Sequence, residues 1–131
     1  MAAWTDDEFQ RIGGATELRL ASERTGGGLR PYVTIWVVGV GGEIYVRSVG
    51  GPDRPWYRHA RASGGGRIRA GGIERSVTFG EAPDGAHEAI DAAYHTKYDR
   101  YGPAVVGHVV GSNAHDVTLR LVPDHAAAGT Q

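Results

Sequence analysis

The chain has 131 residues, about the length of one ordinary domain, with 40% hydrophobic and 22% charged residues, no cysteine and a formal net charge of −1. That composition excludes disulfides and thiolate chemistry, and it lacks the basic footprint of a general nucleic-acid binder. No apolar run approaches the roughly 20 residues of a bilayer span, and MAAWTDDEFQ is acidic rather than basic-then-apolar, so the expectation is a cytoplasmic protein with neither nucleic acid nor membrane as partner.

In chain order, Thr5 is placed as the N-cap of a first helix, with Asp6 and Asp7 in its first turn. Glu8 closes a capping box, Phe9 is placed to meet Trp4, and Gly13-Gly14 ends the helix. Residues 17–22 alternate like a strand with one dry face. After the glycine turn at 25–28, Pro31 to Val40 reads as one strand, apolar on both faces. Gly41-Gly42 turns it into a returning strand, Glu43 to Val49. Pro55 suits the first position of a short helix, since its fixed φ is helical and its missing N–H costs nothing there. Residues 67–70 and 73–79 form a second hairpin about Gly71-Gly72. Asp84 is expected to cap a helix of about four turns that ends at Gly102-Pro103. Ala104 to Val110 fits either a short helix or a strand, and Val117 to Leu121 is a last strand. The sum is a mainly β, α+β domain: a six-stranded antiparallel split β-barrel over 1–123, with an N-terminal helix, a short helix after the third strand, a C-terminal helix, and a flexible tail over 124–131.

Charge is distributed unevenly. Residues 19–75 hold ten arginines against four carboxylates, whereas the remainder holds four basic and eleven acidic residues. A local positive field recruits anions whatever the net charge. GGPDRPWYRHARASGGG places Arg54, Trp56 and Arg58 at a helix N-terminus after a glycine loop, where free N–H groups point at an incoming anion. Arg47 and Ser48 stand at the preceding strand end, followed by Gly51, and Arg24 and Arg30 bracket a second basic turn, RTGGGLR. Each feature also reads as solvated arginines around ordinary turns, or, for Arg47, as a cation aimed across a pocket wall. Tyr94, Tyr98 and Tyr101 fall at helical spacing, which suits packing as well as chemistry. The six histidines include no HExxH pair, Asp91 with His95 is the spacing of a surface pair, and no metal is expected.

The ordered motifs TGGGLR, IWVV, IYVRS, a glycine loop, PWYRH and RIRAGG resemble the flavin- and deazaflavin-dependent nitroreductase-like family of split β-barrels. With TLRLVP at its end, the chain looks closer still to a small branch of that superfamily defined only as a domain of unknown function. The resemblance implies a homodimer that binds a deazaflavin coenzyme or FMN and transfers hydride to an electron-poor small molecule: an enone, quinone, imine or nitro compound. Carried onto this chain, the cofactor-binding positions are Arg24, Arg30, Thr34, Arg47, Ser48, Gly51, Arg54, Trp56 and Tyr57. Trp36 and Tyr101 face the substrate, and Tyr98 or Tyr94 supplies the proton. The first turn lacks the lysine common in that family, and SVGGPDR is a short loop for holding a cofactor tail. A second expectation therefore stands beside the first: a barrel that has lost its cofactor and binds a small hydrophobic ligand, as a carrier or as a redox-neutral cyclase or isomerase.

Overall fold

The computed structural model describes residues 3–49, 51–102, 106–107, 110 and 112–124. The sheet strands are β1 (Leu18–Ser22), β2 (Val33–Ile35), β3 (Val38–Val40), β4 (Glu43–Arg47), β5 (Gly65–Ala70), β6 (Ile73–Gly80) and β7 (Thr118–Pro123). Helices α1 (Asp6–Gly13), α2 (Pro55–Ser63) and α3 (His87–Tyr98) pack around them. Every strand pair is antiparallel, in the order β2-β1-β5-β6-β7-β4-β3.

That order requires curling. β2 and β3 are the two edges, yet only Trp36 and Val37 separate them in the chain. In a flat sheet the edges would stand about 29 Å apart at roughly 4.8 Å per strand step, whereas the link from Ile35 to Val38 spans at most about 11 Å. The sheet therefore bends round until its edges meet, making a split barrel. The expected single strand from Pro31 to Val40 is thus two short strands, and the barrel has seven strands rather than six. Ile35, Trp36, Val37 and Val38 are all apolar and at least partly buried, so periodicity could not show the bend between them.

The turn chemistry follows the sequence. Gly41-Gly42 (φ +60° and +85°) and Gly71-Gly72 (φ +58° and +84°) make the two tight hairpins, both glycines in the left-handed region that such loops require. In α1 the Thr5 hydroxyl accepts from the Glu8 N–H, and the Glu8 carboxylate accepts from the Thr5 N–H. The third helix starts differently from expectation: Asp84 opens a 3₁₀ turn (Asp84–Ala86) entered from Pro83, with no side-chain cap on the turn or on α3. Gly102 ends the segment at φ +106°. Most of Ala104 to Val110 and residues 125–131 lie outside the described residues.

Two apolar clusters result. The barrel interior holds Ile12, Leu18, Leu20, Val37, Ile44, Val46, Ile68 and Leu119, with Tyr57 and Ala60 of α2 packed in. A second cluster lies under α3 and joins Val38 and Tyr45 to Ile90, Tyr94 and Tyr98. Alternation along β4 explains the division: Ile44 and Val46 point inward, while Tyr45 and Arg47 point toward α3. Among the described residues, no helix is long and apolar enough to cross a membrane.

Candidate functional site

The arginines expected to meet at one mouth go to different places. Arg30, at the entry to β2, and Trp56 and His59 of α2 border an opening of about 240 Å³, completed by Leu20, Ser22, Pro31, Val33 and Pro55. The Arg30 Nε is buried there without a hydrogen-bond partner. The first turn of α2 carries no acidic residue, so its N–H groups keep their positive field. Partial burial first, then the Arg30 and Arg58 guanidiniums, hold His59 below the ordinary imidazole range.

Arg47 points elsewhere. It is 1% exposed and lies under α3. Its Nε donates to Thr118 Oγ1 (2.9 Å), its Nη1 donates to Asp91 Oδ1 (2.5 Å), and its Nη2 stands 3.4 Å from His87 Nδ1. The guanidinium also sits 5.5 Å from the centre of the Tyr94 ring. A side chain buried this deeply requires a counter-ion, and Asp91 is that counter-ion. Asp91 also accepts from His115 Nε2 at 3.2 Å, and the rings of His87 and His115 stack with centroids 4.3 Å apart. Asp91 is therefore no partner of His95, which pairs with Asp99 at 2.9 Å. His87, Asp91, His115 and Thr118 are the group that sequence reading did not assemble. His87 and Asp91 stand four apart on α3, and His115 and Thr118 stand three apart between a helical turn (Ser112–His115) and β7, but no local spacing links one pair to the other. His87, His115 and Thr118 also border a polar cleft of about 280 Å³ with Arg61, Glu81, Asp84 and Asp116.

The remaining expected positions divide between loop and core. Arg54 is exposed and donates from Nε to the Val49 carbonyl (3.0 Å), bracing its own loop. Ser48 is buried, and its hydroxyl donates to the Gly51 carbonyl (2.6 Å). Gly51 has φ +96°, which permits that turn. Arg24 lies in the exposed glycine turn, its N–H donating to Gly28, and Thr34 is exposed on β2 opposite Arg19. Tyr57 is 5% exposed and donates to the Asp116 carbonyl at 3.1 Å. Among the described residues no group of three histidine, aspartate or glutamate side chains is arranged to hold a metal.

The tyrosine stripe requires correction. Tyr94 and Tyr98 are fully buried, so neither phenol is presented to a substrate as a proton donor. Tyr98 instead fastens the barrel seam: its hydroxyl donates to the Thr16 carbonyl (2.8 Å) and accepts from the Val37 N–H (3.1 Å), and its ring stacks on Trp36 with centroids 4.0 Å apart. Burial raises Tyr98 to about 12 and Tyr94 further, in the direction opposite to that of an acid poised for neutral pH. Lys97, the chain's one lysine, donates to the carbonyls of Gly13 (2.7 Å) and Val37 (2.6 Å). Burial pushes its ammonium down to about 8. Tyr101, 45% exposed and 5.6 Å from the Trp36 ring centre, is the member of the stripe that reaches solvent.

Solved structures place this architecture in a known class. A protein from Listeria innocua assigned by name to the pyridoxamine 5'-phosphate oxidases shares 15% identity over 91% of this chain and 92% of its own, with a TM-score of 0.62. An F420-H2-dependent reductase shares 17% over 82% and 93%, with a TM-score of 0.59. A FAD-binding protein from Mesorhizobium loti shares 17% over 93% and 91%, with a TM-score of 0.56. The chain shares its split-barrel fold with these proteins. The chain belongs to the family described as uncharacterized proteins conserved in bacteria, DUF2255, whose model matches residues 8–121. No curated protein matches the sequence.

Proposed function

We propose that this protein is a small-molecule oxidoreductase that holds a flavin- or deazaflavin-class ring at the opening between β1, β2 and α2. The observation that carries this reading is the buried Arg30 Nε, unpartnered beside the half-buried Trp56 indole at the start of α2. A buried donor without an acceptor is costly, and a ring carbonyl or phosphate oxygen would satisfy it. Trp56 supplies a flat apolar wall, and the N–H groups at the start of α2 add positive field. When bound, the cofactor supplies the hydride chemistry, and the protein's part is to bind and orient it.

The opening fits only part of such a cofactor. At about 240 Å³ it lies below the roughly 300–1,000 Å³ of complete small-molecule sites. With Arg47 engaged by Asp91 and Arg54 by its own loop, one chain contributes a partial cradle. A second copy against this face would complete it, which makes the functional unit a homodimer.

Titration of the purified protein with FMN and with a deazaflavin coenzyme, followed by tryptophan quenching and ring absorbance, tests this. Binding of one of them is expected, weakened by Arg30→Ala and by Trp56→Leu and unchanged by Arg19→Gln. Absence of binding to either cofactor at high micromolar concentration defeats the reading. Uptake of an apolar dye at the same opening would then favour the cofactor-free ligand binder.

A further inference from the structure

The cleft under α3 contains an arrangement that the cofactor reading does not use. Asp91 bridges two cations or donors: Oδ1 takes Arg47 Nη1 and Oδ2 takes His115 Nε2. An ionised carboxylate can only accept, so His115 carries a proton on Nε2 toward Asp91, and the neutral form of that ring has its lone pair on Nδ1. Arginine can only donate, so its approach to His87 Nδ1 puts the lone pair there and the proton on His87 Nε2. One ion pair thereby sets both rings. They share a tautomer but are engaged through opposite nitrogens, and each has the other nitrogen left over: an acceptor on His115 and a donor on His87. The rings stack at 4.3 Å, 13° from parallel, and both border the cleft.

We propose that this cleft is an acid–base site in which His115 is the general base and His87 the neutral electrophile for proton transfer next to a carbonyl. His115 Nδ1 removes a proton from the carbon beside the carbonyl. The C–H electron pair forms the carbon–carbon double bond, and the carbonyl π pair moves onto oxygen, where the His87 Nε2–H donates a hydrogen bond to it. The imidazolium left on His115 is stabilised by Asp91, exchanges its proton with solvent and delivers a proton to the former carbonyl carbon, while the proton of the substrate's adjacent hydroxyl passes to the former carbonyl oxygen beside His87 Nε2, so the reaction is an isomerisation with no external oxidant or reductant. A neutral imidazole as the electrophile avoids placing a second positive charge beside Arg47 and His115: burial first, then the charges of His115 and Arg47, lower His87 below the ordinary imidazole value, with Asp91 and Asp84 acting the other way.

The lining selects the substrate class. Glu81, Asp84 and Asp116 surround the cleft against a single further cation, Arg61, so phosphate or carboxylate substrates are repelled. Thr118 Oγ1 is engaged between Arg47 and the Ala114 carbonyl and serves to position the ion pair. The class that fits is a small, uncharged hydroxycarbonyl compound. This chemistry requires neither the opening beside α2 nor a cofactor, so either proposal can fail without the other.

The test uses dihydroxyacetone in deuterated buffer, with deuterium incorporation followed by proton NMR on the full chain, and ¹⁵N NMR of the two imidazoles. Expected are incorporation faster than free imidazole at equal concentration, a fall of about 100-fold in His115→Gln, a smaller fall in His87→Gln and none in Arg19→Gln. Both rings should show the proton on Nε2. Circular dichroism establishes that each variant is folded, and Asp91→Asn separates positioning from chemistry by altering the His115 tautomer ratio and the pH profile. Incorporation no faster than free imidazole, undiminished exchange in a folded His115→Gln variant, or a proton on His115 Nδ1 overturns the proposal.

Discussion

The two ends of α2 look onto cavities of similar size that are opposite in character. Beside Pro55 and Trp56 the opening is mostly apolar, with the Arg30 Nε unpartnered at its edge. Beside Arg61 the cleft is polar, and the buried arginine behind it is fully engaged. Sequence gave both arginines the same reading, as cations for an anionic guest. The difference is that Arg47 stands on a strand whose outer face is covered by a helix bearing a carboxylate, whereas the segment of Arg30 has no such cover. An arginine in a basic region is available to a ligand only where the fold has not already supplied its counter-ion.

The largest expected effect comes from breaking that counter-ion. Asp91→Ala removes the carboxylate that faces the buried guanidinium, at a cost of about 3 kcal/mol and a fall of roughly 10 °C in the thermal midpoint. Arg47→Met should cost clearly less, because the quarter-exposed Asp91 side chain can then turn to water and to His115. Equal losses in a calorimetric comparison would show that the ion pair is not the organising contact. Tyr98→Phe comes next, losing about 1–2 kcal/mol by leaving the Val37 N–H without its acceptor at the seam. Its pH dependence has a definite sign. Tyr98 ionises near 10 when unfolded and near 12 when folded, so its contribution is complete below pH 10 and is lost as pH rises from 10 to 12. Urea midpoints measured across that window should fall for the native chain and fall less steeply in the variant, where Tyr94 still titrates. Arg54→Ala should have the smallest effect, within about 0.5 kcal/mol, since it removes an exposed bond to its own loop. A large loss of cofactor affinity in that variant would return Arg54 to the binding site and blur the contrast between the two cavities.

Much of the fold was legible because its signals are local. The Thr5 capping box, Pro55 at the start of α2 and the paired glycines of both hairpins each act within a few residues, and each stands where the spacing predicts. The candidate sites were only half legible. Arg30 and Trp56 do border one opening, but Tyr94 and Tyr98 are packing and seam residues. At helical spacing, a phenol facing a cavity and one facing a backbone carbonyl have the same pattern. His87 and His115 could not be joined by spacing, because Arg47 meets His87 across 40 residues and Asp91 meets His115 across 24.

The sequence by itself determined most of the elements, the glycine hairpin turns and the alternation along β4 that sends Ile44 and Val46 one way and Tyr45 and Arg47 the other. Tertiary structure alone decided that the sheet closes at Trp36–Val37, that Tyr98 and Lys97 fasten this seam, and that Arg47 is neutralised while Arg30 is not. The physical reason is one of range. Capping, turn formation and strand alternation are settled by neighbours in the chain, whereas the partner of a buried charge is settled by whichever surface the fold lays over it.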